Sequence, residues 1–253
     1  MDKNTKNVKD FYENSTDTYY RITKGYIHGY GTPDGFMAEY LCEKIIKPNS
    51  KVLDTGCGMG RLAIEIAQQS TNTKVVGITI SPVQVKIANQ LIQEANLTDR
   101  IKIFEADFNN LSLLFEKNYF DVIIFNESLF HSNRPQHIIK QVYQILKPQG
   151  FFYAKDIYKN QPSINLLKNL KMQYVVNKIK ENYHYHPQNP SKIKKNCIKS
   201  GFEIVFFDAP PYPSDFKKTI EFEKNYGYKT FELISKINAT HWRELICKKV
   251  SKV

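Results

Sequence analysis

Between residues 50 and 157 short apolar runs alternate with stretches of helical periodicity, the pattern of a parallel sheet covered by helices on both faces. Lys51 to Asp54 reads as a first strand and Arg61 to Gln69 as a helix. Lys74 to Ile80 is a second strand. Ser81 then caps a helix from Pro82 to Ala95, with the proline in the first turn, where its missing N–H is no loss. Ile101 to Ala106 is the third strand. Phe120 to Phe125, as Phe-Asp-Val-Ile-Ile-Phe, is nearly continuous in apolar character and predicts a central strand buried on both sides. A helix over Gln136 to Leu146 stops at Lys147-Pro148-Gln149-Gly150, and Phe151 to Asp156 returns as the fifth strand. This order puts Asp54, Thr79, Asp107 and Asn126 at the C-terminal ends of consecutive strands, the edge at which open α/β sheets bind ligands.

The flanks are less regular. The first thirty residues are polar and aromatic, with Phe11, Tyr12, Tyr19, Tyr20, Tyr26 and Tyr30, and read as a helical arm and a loop. Thr32-Pro33-Asp34 opens a helix through Met37, Ala38, Leu41 and Ile45. Residues 162 to 200 read as helical, apolar at Leu166, Leu167 and Leu170 and basic at Lys168, Lys171, Lys178, Lys180, Lys192, Lys194 and Lys195. Gly201 to Phe207 and Trp242 to Lys248 are closing strands. The organisation expected is an N-terminal arm or lid over residues 1–32 and an α/β domain over 33–253. That domain is doubly wound and Rossmann-like, with a mostly parallel seven-stranded sheet and a helical lid inserted at about 160–200.

The chemistry begins at Val52-Leu53-Asp54-Thr55-Gly56-Cys57-Gly58-Met59-Gly60, a strand followed by three glycines and a helix. Glycines there let a ligand approach the backbone, as Gly56 and Gly58 would. The dinucleotide fingerprint G-x-G-x-x-G is not met, because the third glycine comes one residue early, and no G-K-[ST] phosphate loop is present. Asp54 would repel a pyrophosphate but attract a ligand carrying an ammonium and a sulfonium. The run resembles motif I of the class I S-adenosylmethionine-dependent methyltransferases, and the strand order across residues 50–157 is similar to theirs. The resemblance implies S-adenosylmethionine as cofactor and S-adenosylhomocysteine as product.

In that family the second strand commonly ends in an acidic residue that clasps the ribose, whereas here Gly77-Ile78-Thr79-Ile80-Ser81 offers Thr79, whose hydroxyl cannot make a bidentate charged clasp. Gly-Ile-Thr-Ile-Ser-Pro-Val-Gln resembles the version in small-molecule methyltransferases of the sterol, tocopherol and geranyl diphosphate type. By that resemblance Gln84 holds the ribose and Ile80 packs on the adenine; a helix-surface glutamine is the other reading. Asp107 would accept from the adenine amine and Phe108 lie against the ring, or Asp107 would cap a helix.

Asn126-Glu127-Ser128-Leu129-Phe130-His131 follows the fourth strand, where the transferable methyl would lie, and both Glu127 and His131 can act as bases. Glu127-Ser128 resembles the pair found at this point in prenyl diphosphate C-methyltransferases and in several small-molecule N- and O-methyltransferases; in the former an alkene carbon attacks the methyl. There Glu127 would take the proton lost after an alkene is methylated, and Tyr19, Tyr20, Tyr30, Phe130 or Tyr158 would offer π faces to the cationic carbon. Tyr26-Ile27-His28-Gly29-Tyr30-Gly31 looks like the lid segment of that group, which makes His28 and Tyr30 lid candidates, or else an aromatic arm packed on the surface. The reading favoured is C-methylation of an isoprenoid or lipid-like acceptor; N- or O-methylation of a small metabolite, and a non-catalytic module on the same fold, are its rivals.

Composition changes little of this. A net charge of +11 suggests an anionic partner, which could be nucleic acid, a membrane surface or a phosphorylated or diphosphate-bearing small molecule, although a solvated basic surface explains it as well. The [DNS]-P-P-[YFW] motif of DNA adenine methyltransferases is missing after the fourth strand, and Ala209-Pro210-Pro211-Tyr212 reads as a proline-rich loop, so no sequence-specific nucleic-acid role is expected. The four cysteines stand far apart without a C-x-x-C pair, which points to free thiols and no metal. With no signal-peptide h-region and no apolar span long enough for a bilayer, the expectation is a cytoplasmic protein with a small-molecule substrate; whether it forms a homo-oligomer stays open.

Overall fold

The computed structural model describes residues 1–25 and 32–250. Its strands are β1 (Lys51–Thr55), β2 (Lys74–Thr79), β3 (Ile101–Glu105), β4 (Phe120–Asn126), β5 (Leu146–Lys159), β6 (Phe202–Asp208) and β7 (Thr240–Lys249). They form one seven-stranded sheet in the order β3-β2-β1-β4-β5-β7-β6. β1 to β5 run parallel, and β7 lies antiparallel between β5 and β6. The chain reverses its direction of winding between β1 and β4, so a crevice opens beyond their C-terminal ends.

The central strands show why apolar runs become buried strands. Leu53, Ile123, Phe125, Phe152 and Ala154 point into one core, while Val52, Val122, Ile124, Tyr153 and Ile246 point into the other. Successive side chains alternate sides, so a strand covered on both faces must be apolar at nearly every position. The helices are α1 (Lys3–Thr23), α2 (Phe36–Lys44), α3 (Arg61–Gln69), α4 (Pro82–Glu94), α5 (Leu111–Leu114), α6 (Pro135–Ile145), α7 (Leu166–Tyr183), α8 (Pro190–Ser200), α9 (Lys217–Tyr226) and α10 (Thr230–Ile237). Ser81 caps α4 as expected, its side chain accepting from the Gln84 N–H.

Three differences from the sequence reading have physical causes. α2 starts at Phe36, after Gly35 in a left-handed conformation, because the Phe36 N–H closes a turn on the Pro33 carbonyl. β5 begins at Leu146, since Lys147-Pro148-Gln149-Gly150 bulges out of a strand already paired to β4 through Leu146 and Phe120. The stretch 162–200 is broken at His184, whose left-handed backbone ends α7. α8 then packs on α6 and β6 as an ordinary flanking helix.

In α7 the buried side chains are Met172, Val175, Val176 and Ile179, whereas Leu166, Leu167 and Leu170 are exposed. α9 and α10, between β6 and β7, had no clear signal in the sequence. α10 packs on α7 and α9 on α1, and together these four helices roof the C-terminal ends of β4 and β5. Among the described residues no helix is long and apolar enough to cross a membrane.

Candidate active site

The loop between β1 and α3 is built from backbone that only glycine adopts cheaply: Gly56, Gly58 and Gly60 have φ of 75°, 54° and 77°. Space explains two of them. A Cβ on Gly60 would sit 2.5 Å from Ile103 Cδ1, and one on Gly56 would sit 2.5 Å from Ser128 Cβ. Around Gly58 no atom of the described residues lies within 4 Å of that position, which faces the cleft. Gly60→Ala is therefore expected to cost folding stability, while Gly58→Ala, burdened only by about 1–2 kcal/mol of left-handed strain, should fold and lose cofactor affinity. Thermal unfolding and isothermal titration on the two variants separate these outcomes.

The cleft, of about 920 Å³, is lined by Asp54, Gly56, Gly58, Thr79, Ile80 and Gln84 on one side and by Phe108, Asn126 and Glu127 on the other. Asp54 is 2% exposed, and burial pushes its carboxyl up to about 7. Its Oδ2 and the Asn126 Oδ1 are buried without a hydrogen-bond partner among the described residues. Buried acceptors left this way ask for a donor from a ligand. Thr79 Oγ1 donates to Gln84 Oε1 at 2.6 Å and both side chains are buried, so the glutamine is a wall of the cleft and the threonine fixes it. Asp107 Oδ1 accepts from the backbone N–H of Asn109 at 2.9 Å and from its Nδ2 at 2.7 Å: of its two readings, the geometry displays the cap. Phe108 does line the cleft, its ring edge-on to Phe125.

A second cavity of about 600 Å³ lies under the roof, with walls that include Ile157, Ile179, Tyr185, Phe231, Ile234 and Trp242. Tyr12, Tyr19, Glu127 and His131 border both cavities, so the two spaces meet at these side chains. Glu127 has a left-handed backbone, φ 60°, held by its N–H donating to the Lys155 carbonyl at 2.8 Å. Its Oε1 pairs at 2.9 Å with Nζ of Lys155, which is wholly buried. Lys155 faces Glu244 directly across the β5–β7 ladder, and Glu244 accepts from the Tyr40 hydroxyl at 2.9 Å.

His131 is buried, and its Nδ1 lies 3.2 Å from the His184 carbonyl, an atom that can only accept. Nδ1 therefore carries the proton, and Nε2 accepts from the Tyr12 hydroxyl at 2.8 Å. Burial, and next the charge of Glu127, holds that hydroxyl well above its ordinary pKa. His131 thus positions Tyr12 over the junction of the cavities.

Of the aromatic candidates, Tyr19 reaches the junction, stacked on Phe222 with centroids 4.0 Å apart. Tyr20 packs between core clusters beside it. Phe130 and Tyr158 are fully buried edge-to-face against each other, in the core and not on the wall of either cavity. His28 and Tyr30 lie outside the described residues. Sequence reasoning did not single out Lys155, although a lysine inside Phe-Phe-Tyr-Ala-Lys-Asp is out of place in a buried strand and needs a partner. The roof residues Tyr185, Phe231, Ile234 and Trp242 carried no such signal.

The comparisons agree with this arrangement. The methyltransferase domain family matches residues 46–232. A sterol 24-C-methyltransferase of Saccharomyces cerevisiae is 27% identical over 225 residues, which cover 81% of this chain and 56% of that protein. A sarcosine/dimethylglycine N-methyltransferase of Aphanothece halophytica is 31% identical over 165 residues, 60% of this chain and 58% of that one. The chain spans about half the length of the curated relatives it matches. Among solved structures, the [4+2]-cyclase SpnF superposes with a TM-score of 0.78 at 19% identity, covering 98% of this chain and 97% of that one. Geranyl diphosphate C-methyltransferase from Streptomyces coelicolor A3(2), solved with Mg2+, geranyl diphosphate and S-adenosyl-L-homocysteine, gives 0.76 at 13% identity, with 98% of each chain covered. At such identities the likeness is one of fold. The family match takes in the glycine loop and the segment bearing Glu127 and His131, and the chain therefore belongs to the methyltransferase domain family.

Proposed function

We propose that this protein transfers a methyl group from S-adenosylmethionine to a small apolar acceptor of sterol or isoprenoid type. One observation carries the reading: an apolar cavity joins, at Glu127, a cleft whose buried acceptors on Asp54 and Asn126 lack donors. The cleft fits the cofactor by chemistry. Asp54 would hold the ammonium group, Gln84 the ribose, and Ile80 and Phe108 the adenine, with Gly58 leaving room for close approach. When bound, the cofactor supplies an electrophilic methyl on a sulfonium.

The protein's own groups do the rest. Cavity walls of aliphatic and aromatic side chains hold the acceptor carbon against the junction and keep water out. For an alkene acceptor, Tyr12 and Tyr19 offer π faces to the positive charge left on the acceptor after its π pair forms the new carbon–methyl bond. Glu127 takes the proton that restores the double bond, and Lys155 fixes its carboxylate at Oε1.

The test is transfer of methyl label from S-adenosylmethionine to an alkene-bearing sterol, to geranyl diphosphate and to sarcosine. Label in the alkenes supports C-methylation. Label in sarcosine alone replaces it with the N-methylation suggested by the Aphanothece relative, and label in none leaves a fold without this reaction. Ile179→Trp, which fills the cavity from α7, is expected to lower kcat/KM for the largest acceptor by roughly 10–100-fold with cofactor affinity unchanged by titration.

A further inference from the structure

α7 is apolar on two opposite sides. Met172, Val175, Val176 and Ile179 are buried against the body of the protein, and Ile179 and Tyr183 line the acceptor cavity. At 3.6 residues per turn, Leu166, Leu167, Leu170 and Tyr174 fall on the face diametrically opposite. With Ile164 just before the helix, these five side chains are between 52% and 107% exposed. The other large apolar residues exposed among the described residues stand singly or as the pair Leu113 and Leu114. A contiguous exposed apolar stripe marks an interaction surface.

Charge identifies what it meets. Residues 157–200 contain nine lysines and a single acidic residue, Glu181. That glutamate pairs with Lys178 in the last turns of α7, while Lys171 sits exposed one turn on from Leu167, at the edge of the leucine face. Leucines and a tyrosine on one face of the N-terminal half, edged by Lys171 in a segment that is basic throughout, form the pattern of a helix that lies in the surface of an anionic bilayer. α7 has 18 residues and does not qualify as a membrane span, so it would lie along the surface.

We propose that the N-terminal half of α7 docks this protein onto an anionic membrane surface through Ile164, Leu166, Leu167, Leu170 and Tyr174, with Lys171 against the headgroups. Docking stands on this surface alone. Its use, delivery of an apolar acceptor from the bilayer into a cavity walled by the inner face of the same helix, rests on the function proposed above.

Vesicle flotation tests the docking. The intact chain is mixed with vesicles of phosphatidylcholine alone or containing about 30% phosphatidylglycerol, enough to give an anionic surface potential. The expected result is flotation with the anionic vesicles only, reversed by raised salt. Lys171→Gln should weaken partitioning about fivefold. Leu166→Ser, Leu167→Ser and Leu170→Ser together should weaken it at least about tenfold through lost apolar burial. All four positions are exposed, so both variants should keep the wild-type circular dichroism, cofactor affinity and label transfer to a water-dispersed short-chain acceptor.

Failure to float, equal flotation with neutral vesicles, or variants that float like the wild type would each overturn the proposal. So would sedimentation showing a dimer that the triple leucine variant dissociates, which would make the stripe a contact between copies. Anionic flotation without methyl transfer to any lipid-like acceptor would sustain the docking and remove the acceptor reading instead.

Discussion

If Glu127 is the base proposed above, Glu127→Gln is expected to lower methyl transfer by about 10²–10⁴-fold, the range for loss of a general base, while S-adenosylmethionine still binds. Single-turnover transfer of labelled methyl, alongside titration of the cofactor, measures both. The structure adds a second expectation. Lys155 is wholly buried and pairs with Glu127 at 2.9 Å, so the neutral amide takes one anionic partner from a buried ammonium that also faces Glu244, at a cost of at most about 3–5 kcal/mol. The single variant should thus be both inactive and less stable.

Combining it with Lys155→Met separates the two effects. The double variant should recover much of the lost unfolding temperature, less whatever Glu244 loses across the ladder, and recover none of the activity. Undiminished turnover in Glu127→Gln would remove the base from the mechanism and leave the cofactor site standing.

Asp54 gives the other large effect, and it depends on pH. Burial raises its carboxyl from an ordinary value of 3.8 to about 7. A raised carboxyl pKa stabilises the folded protein fully below about 3.8, and this contribution is lost as pH rises through about 7. Binding an ammonium group runs the other way, because it needs the carboxylate. Cofactor affinity should therefore rise about tenfold per pH unit up to about 7 and then level off, with proton release on the acid side detectable by titration in buffers of different ionisation enthalpy. Asp54→Asn should weaken the cofactor by about 2–5 kcal/mol and flatten this profile. A profile that slopes equally in the variant would show that some other group takes up the proton.

Much of the cleft was legible because its lining follows strand ends. Asp54, Thr79 and Asn126 come from positions fixed by apolar runs and by glycines that need left-handed backbone, and these are local signals. The cavity under the roof was not. Its walls come from α1, α7, α9, α10 and β7, segments far apart in sequence that touch only after folding. An exposed leucine and a buried one look alike in a periodic pattern, which is why Leu166, Leu167 and Leu170 gave no sign of facing outward. For the same reason Phe130 and Tyr158 could not be told from pocket aromatics: their burial is a property of the core beneath. Lys155 was visible as an anomaly, but its partner is 28 residues away and on another strand end.

Ser128 joins these halves more firmly than any pocket wall. Its hydroxyl donates to the Thr55 carbonyl at 2.5 Å, and its Cβ occupies the space that Gly56 leaves open. Glu127, one residue earlier, is thereby carried on main chain clamped to the glycine loop. On the function proposed above, the separation between methyl donor and base is then a dimension of the frame, insensitive to which molecule fills the roof. Selection could rebuild the helices above for a sterol, an amine or a prenyl chain without recalibrating the reaction coordinate.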